Sequence, residues 1–359
     1  MNVLQRFYFI ILLCYPTIVY SNDLQIFTDI SSLTYSGSVP IKAYTDDWKT
    51  EDFQQSDFAF SFNQATVGVK YKNWSLAWLS RYDYWLEFSE DTAELYYKTQ
   101  NDQDLDANRQ YQLSLEIGHQ ISQGWRASYE WFFNKNNSLT MAISWLKANW
   151  LIDGKINGQA VATNINDYGF DLAVDYLYSE DRLFDRVNYT EPEGHGFAVD
   201  IGLNYAVTNR WSINLFIKDA FAEIQWKNAP QTIADATTNV SIRNLDGSLN
   251  VRPIIQGVEQ HNNFKQKLSS KIHFLNVFSF NKNYHILYVA DRIADHLFQQ
   301  VGIRYQKYGI KLDSLLLIRQ KAVTLALQHD VVDFSLTADS VDLNKARFLF
   351  INFGIKLSF

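Results

Sequence analysis

Apolar and polar residues alternate with a period of two along most of the chain from residue 24 onward. This pattern predicts β-strands whose two faces meet different surroundings. In "WSLAWLSRYDYWLEF" (74–88), Trp74, Leu76, Trp78, Ser80, Tyr82, Tyr84, Leu86 and Phe88 share one face, and Ser75, Ala77, Leu79, Arg81, Asp83, Trp85 and Glu87 the other. In 195–207, Phe197, Val199, Ile201, Leu203, Tyr205 and Val207 oppose Gly196, Ala198, Asp200, Gly202, Asn204 and Ala206. Val301, Ile303 and Tyr305 oppose Gly302, Arg304 and Gln306 in the same way. An apolar face carrying Trp or Tyr near both ends, backed by small, polar and charged residues, is the pattern of a strand in a transmembrane barrel. No long stretch has the 3.6-residue period of a helix.

Turn signals divide these runs, and the connections alternate in length. The short ones are "YKNW" (71–74), "SQGW" (122–125), "TNRW" (208–211), "FNKNY" (280–284) and "KYG" (307–309), each with Asn or Gly where a tight turn needs positive φ. Longer polar connections cover 89–108, 180–194 and 228–262. Short turns at a periplasmic rim and long loops at the outer rim describe an outer-membrane barrel. The expectation is therefore an all-β, transmembrane antiparallel β-barrel of about 16 strands in one domain, 22–359. Segments 36–56, 151–164 and 228–262 fit the pattern less well, and counts of about 14 to 18 strands satisfy it too.

The N-terminus reads differently. "MNVLQR", with its single positive charge at Arg6, precedes the apolar run "FYFIILLCYPTIVY". That run is short for a membrane-spanning helix and suits a secretory signal over residues 1–21, with Val19 and Ser21 at the −3 and −1 positions before Asn22. The only cysteine, Cys14, falls inside it, so the exported chain is expected to have no disulfide, no Cys-based metal site and no thiol nucleophile. No apolar run of helical membrane-spanning length follows, and only a closed barrel otherwise satisfies the backbone in lipid.

Composition sharpens this picture. Ten Trp, 21 Tyr and 25 Phe coexist with a mean hydropathy of −0.23, as expected when polar residues mask an apolar face. The net charge of −7 argues against nucleic acid as a partner. The seven histidines lack metal-ligand spacing, no Gly-x-Ser-x-Gly elbow occurs, and the His329–Asp330 pair falls at an expected turn. The reading is a non-enzyme without cofactor or metal.

Charged residues on the polar faces are the main candidates for function: Arg81, Asp83, Glu87, Asp200, Lys218, Arg304, Lys311, Asp313, Asp333 and Lys356, with Glu223 and Lys265 on the same reasoning. A Lys or Arg facing lipid near the midplane costs roughly 2–4 kcal/mol, so these groups are expected to line a lumen. Two functions follow. One is a porin-like pore or transporter with a charged lumen for small solutes. The other is a salt-bridged structural or partner-binding barrel of a secretion or surface-polymer system, with segments 90–108 and 228–262 as its contact surface.

The last eight residues, "NFGIKLSF", resemble the terminal β-signal of Gram-negative outer-membrane proteins, matching at Asn352, Gly354, Leu357 and Phe359. The resemblance implies outer-membrane lipid as the surroundings and the outer-membrane assembly machinery as a partner during insertion. "HGFAVDIGLNYAVTNRWSINLFIKDAFAEIQW" (195–226) is similar to a hairpin in uncharacterised barrel families related to the FadL and PorV groups.

Overall fold

A computed structural model describes residues 23–164, 167–181, 191–238, 241–243, 249–251 and 254–359. The expected signal segment lies outside the described residues. The strands are β1 (Leu24–Ser36), β2 (Phe58–Tyr71), β3 (Trp74–Phe88), β4 (Gln110–Asn134), β5 (Asn137–Asn164), β6 (Asp167–Tyr178), β7 (Glu193–Thr208), β8 (Trp211–Thr237), β9 (Ser241–Arg243), β10 (Leu249–Val251), β11 (Ile254–Lys267), β12 (Lys271–Ser279), β13 (Tyr284–Ile293), β14 (His296–Lys307), β15 (Ile310–Leu317), β16 (Ala322–Gln328), β17 (Val332–Ala338) and β18 (Phe348–Ser358). Two helices, α1 (Ile41–Tyr44) and α2 (Glu90–Gln100), accompany them.

The sheet closes on itself. Antiparallel pairing runs β1-β2-β3-β4-β5-β7-β8-β12 and on through β18, which returns to β1 from Gln25↔Ser358 to Tyr35↔Phe348. Fourteen strands make this ring. Closure removes every edge within it, so each ring strand finds main-chain partners on both sides. β6 and β11 stand outside the ring: β6 lies between the far ends of β5 and β8, and β11 continues the column of β12 along β8. β9 and β10 pair only with each other.

Fourteen ring strands, with β6 and β11 beside them, fall within the expected 14 to 18, and the fold departs from the expected turns in two places. The expected turn at 122–125 lies within the single strand β4, where Gly124 allows a close strand approach instead of a reversal. A Cβ there would sit 1.8 Å from the Trp145 carbonyl oxygen. The chain reverses instead at residues 134–137. Segment 228–262, expected as a polar loop, is largely a hairpin that carries β8 and β11 outward, and 151–164 continues β5 as strand. The remaining short turns gather at one rim together with Leu24 and Phe359. At one of them Tyr308 and Gly309 both have positive φ, 53° and 79°, as a two-residue hairpin turn requires.

The outer face carries an apolar band that includes Ile30, Val67, Leu76, Ile143, Ile303, Leu312, Leu325 and Ile351, all exposed. Aromatic residues collect at its turn-side rim: Tyr71, Trp74, Trp131, Phe133, Tyr205, Trp211, Phe280, Tyr284, Tyr308 and Phe359. Contiguous exposure on this scale is foreign to water-soluble surfaces. On the other rim the outer face of β2–β4 stays apolar but is covered. Val39, Ala43 and Trp48 from residues 38–56, with Ala93 and Tyr97 of α2, pack on Ala59, Leu86 and Phe88. Helix α2 begins at Ser89, whose hydroxyl accepts the Thr92 amide at 3.1 Å. Its acidic residues are tied down by Arg109, which reaches Asp91 at 3.0 Å and Glu94 at 2.8 Å.

Candidate functional site in the barrel lumen

The inward residues form layers because adjacent strands pair in register. Phe348, Tyr35 and Phe60 stand side by side across β18, β1 and β2; the next layer is Phe350, Leu33 and Phe62. Closer to the turn-side rim come Asn352, Ser31 and Gln64, then Gly354, Asp29 and Thr66. The lumen thus changes from aromatic to polar along its axis. Phe298 of β14 reaches the aromatic layers, with ring centroids 5.5 Å from Tyr35 and 5.8 Å from both Phe60 and Phe348. With Phe58, Ile293, Leu317 and Ala322 these rings make a closed apolar cluster.

Two cavities lie against this cluster. An outer one of about 470 Å³ is lined by polar and charged groups, including Asp57, His296, Arg319 and Arg347, around Phe58. An inner one of about 420 Å³ lies within the ring. Leu33, Phe62, Leu275, Leu287, Val289 and Leu315 supply its apolar wall; Lys218, Lys271, Arg304, Asp313 and Gln300 supply polar groups.

The charged candidates fall into separate arrangements. Arg81 and Asp83 come together, as their i, i+2 spacing on one strand requires. The guanidinium donates to both carboxylate oxygens of Asp219, at 2.8 and 2.7 Å, and to Asp83 at 2.5 Å. Lys271 adds a 3.1 Å contact to Asp219 and sits 4.2 Å from the centre of the Phe62 ring. Gln120 donates to Asp83 at 3.2 Å. Lys218 lies beside this network and lines the inner cavity, with no hydrogen bond or ion pair among the described residues. Asp200 accepts the Asp219 amide at 2.8 Å and pairs with Arg126 at 2.8 Å. On the opposite wall Arg304 and Asp313, opposite each other in register, form a two-pronged pair at 2.6 and 2.7 Å. Lys356 bonds Asp333 nearer the turn-side rim. Glu87 stands opposite Glu116, which Lys155 holds at 2.9 Å. Lys311 makes no ion pair among the described residues.

Alternation alone missed Asp219. It sits in a bulge with φ 57°, where β7 and β8 lose register between Val199 and Ile201. The bulge leaves the parity of β8 unchanged, with Phe216 and Lys218 facing inward before it. Ile224 and Trp226 are buried inward, while Glu223 and Lys265 occupy the outer face, which corrects their expected lumen placement. Phe58, Phe60 and Phe298 were also missed. A parity signal was present for the first two, which share the face of Gln64 and Thr66 opposite the exposed Val67 and Val69.

Residues 352–358 lie on the seam strand β18, and Phe359 follows it. Gly354 is buried beside Asp29, Leu357 faces outward, and the Phe359 amide donates to Leu24 at 2.9 Å. Asn352 belongs to the inward polar layer.

These features define a closed antiparallel barrel whose lumen is divided by an aromatic cluster. The sequence matches no protein-family model and no curated protein. Solved structures with which it aligns include the Pseudomonas putida toluene transporter TodX, at 9% identity over 94% of this chain and 88% of that one, TM-score 0.41. The CymD monoaromatic hydrocarbon channel aligns at 9% identity over 94% and 88%, TM-score 0.40. A Pseudomonas aeruginosa FadL homologue aligns at 10% identity over 93% and 89%, TM-score 0.29. The barrel assignment rests on the strand pairing of this chain itself.

Proposed function

We propose that the chain is an integral barrel of a Gram-negative outer membrane that carries a small solute with an apolar body through its lumen. The observation behind this reading is the inner cavity of about 420 Å³, apolar on most of its wall and edged by Lys218, Lys271 and the Arg304–Asp313 pair. Cavities that bind small molecules have this size and this mixture. The exposed apolar band and its aromatic rim support lipid as the surroundings. Because most lumen charges neutralise one another, the path favours a selected solute over free ion flow. Residues 1–21 serve as the export signal in this reading, and the short turns face the periplasm.

Filling the cavity tests the reading. Ala326 lines it from β16, and Ala326→Trp is expected to abolish solute uptake by proteoliposomes while heat-modifiable folding persists. Unchanged uptake would sink the transport function. Asn352, Gly354, Leu357 and Phe359 are proposed to engage the assembly machinery. Deleting Phe359 is expected to lower the folded amount in outer membranes, and an unchanged amount counts against that role.

A second reading has its own observation. Among the described residues β11 pairs only with β8, and Ile254–His261 is exposed throughout, with Val258 at 62% exposure. An open strand edge receives another strand readily, which suits a barrel that docks a surface partner. Co-purification that survives in the parent chain and is lost on Val258→Pro supports this reading; recovery of the barrel alone opposes it.

A further inference from the structure

We infer that Phe298 is the gate of the barrel: its ring, which borders both the outer cavity and the inner one, decides what size of solute passes. This rests on the transport reading above and adds the residue that controls it. Among the described residues, Phe298 is the only one that lines both cavities. The inward side chains of β14 follow the same order. His296 lines the outer cavity, Phe298 both, and Gln300 and Arg304 the inner one. Successive inward residues on a strand are about 6.5 Å apart, so the partition here is one aromatic ring thick.

The other rings of the cluster are placed differently. Tyr35 and Phe58 touch only the outer cavity, and Phe62, Phe348 and Phe350 only the inner one. Tyr35, Phe60 and Phe348 are held side by side on three paired strands, a rigid row. Phe298 comes from β14, which is separated from β18 by β15, β16 and β17, and meets that row edge-on at Tyr35 and Phe60. The contact therefore lies between two parts of the wall that share no main-chain bonds. It is broken by a side-chain rotation, with no strand pairing lost, which is the motion a gate needs. His296, stacked on Phe58 at 3.9 Å, fixes the wall just outside it.

The experiment compares the full-length parent, Phe298→Ala, Phe298→Trp and Phe58→Ala in planar bilayers in potassium chloride, together with uptake by proteoliposomes. Phe58→Ala deletes the same ring from the same cluster without joining the cavities. Phe298→Ala is expected to give stable conductance steps absent from the parent and to admit larger solutes. Phe298→Trp is expected to slow uptake, and Phe58→Ala to leave conductance at the parent level. Heat-modifiable migration confirms folding of each variant. A folded Phe298→Ala as silent as the parent overturns the gate, as does a Phe58→Ala that conducts equally. The Ala326→Trp result separates the two claims. If it blocks uptake while Phe298→Ala changes nothing, transport stands and the gate falls.

Discussion

The two sides of the barrel are built to different rules. From β13 to β18 the strands are 7 to 12 residues long, pair without register shifts, and turn at both rims in a few residues or a short loop. From β4 to β8 three strands reach 25 to 28 residues, more than the 9 to 11 or so that a tilted strand needs to cross a bilayer. They continue as a sheet beyond the ring, and register breaks at Ile121/Ser122, Val199/Ile201 and Asn262/Phe264. The short side presents a regular apolar wall to the inner cavity. Its strands bury one plain charged pair, Arg304 and Asp313, whereas the tall side adds Asp219 to a larger network because a bulge turns its carboxylate inward where a plain strand would alternate past it. Asp219 is the example: its non-glycine positive φ aims its carboxylate at Arg81 and Lys271.

The comparison is broken most severely at Gly124. Gly124→Val forces a side chain against the Trp145 carbonyl in the tall wall. Loss of folded, heat-modifiable barrel is expected; a normal folded yield would show that β4 and β5 do not pair as described. The next contrast is between the charge networks. Arg81→Ala leaves Asp83 and Asp219 buried with Lys271 as their remaining ion-pair partner among the described residues, and a loss of about 3–5 kcal/mol is expected. Arg304→Ala strands a single carboxylate, Asp313, in the simpler wall and should cost less. Urea unfolding in detergent reads both, and equal losses would erase the distinction.

The smallest effect concerns the cap on the tall side. Burial alone would raise the Glu94 carboxyl, but Arg109 and Lys98 outweigh it and hold the group below its usual range. A depressed carboxyl contributes stability above its unfolded value and loses it as pH falls through the folded one. Helix α2 should therefore loosen below the usual carboxylate range. Hydrogen exchange of residues 90–100 is expected to quicken there while β14 stays protected. Equal protection of α2 on both sides of that range would contradict it.

The short side was almost wholly legible. Its expected turns, 280–284 and 307–309, fall between β12 and β13 and between β14 and β15, and Val301 and Ile303 face outward as the alternation predicts. The strands there are short and regular, and one face is apolar over most of its length. The tall side was not, because a glycine that closes a turn and a glycine that lets two strands approach look alike in one dimension. Asn149, the extra residue where Ile121 meets Trp150 and Ser122 meets Ala148, carries no mark of the face switch it causes. Among the candidates, Arg81, Asp83, Arg304 and Asp313 were readable as inward charges, but the pairing of Arg81 with Asp219 was not.

Alternation by itself determined that the chain is a barrel, which face of each regular strand meets an apolar exterior, and which charges turn away from it. Those are local properties, set by the two-residue pleat. Tertiary structure alone decided that fourteen strands close the ring, that extra residues at Asn149 and Asn228 exchange inside for outside, and that the bulge at Asp219 turns a carboxylate inward. It also decided that Phe298 meets Tyr35 and Phe60. The reason is that closure and cross-lumen contact depend on accumulated register around the whole ring, which no single segment encodes.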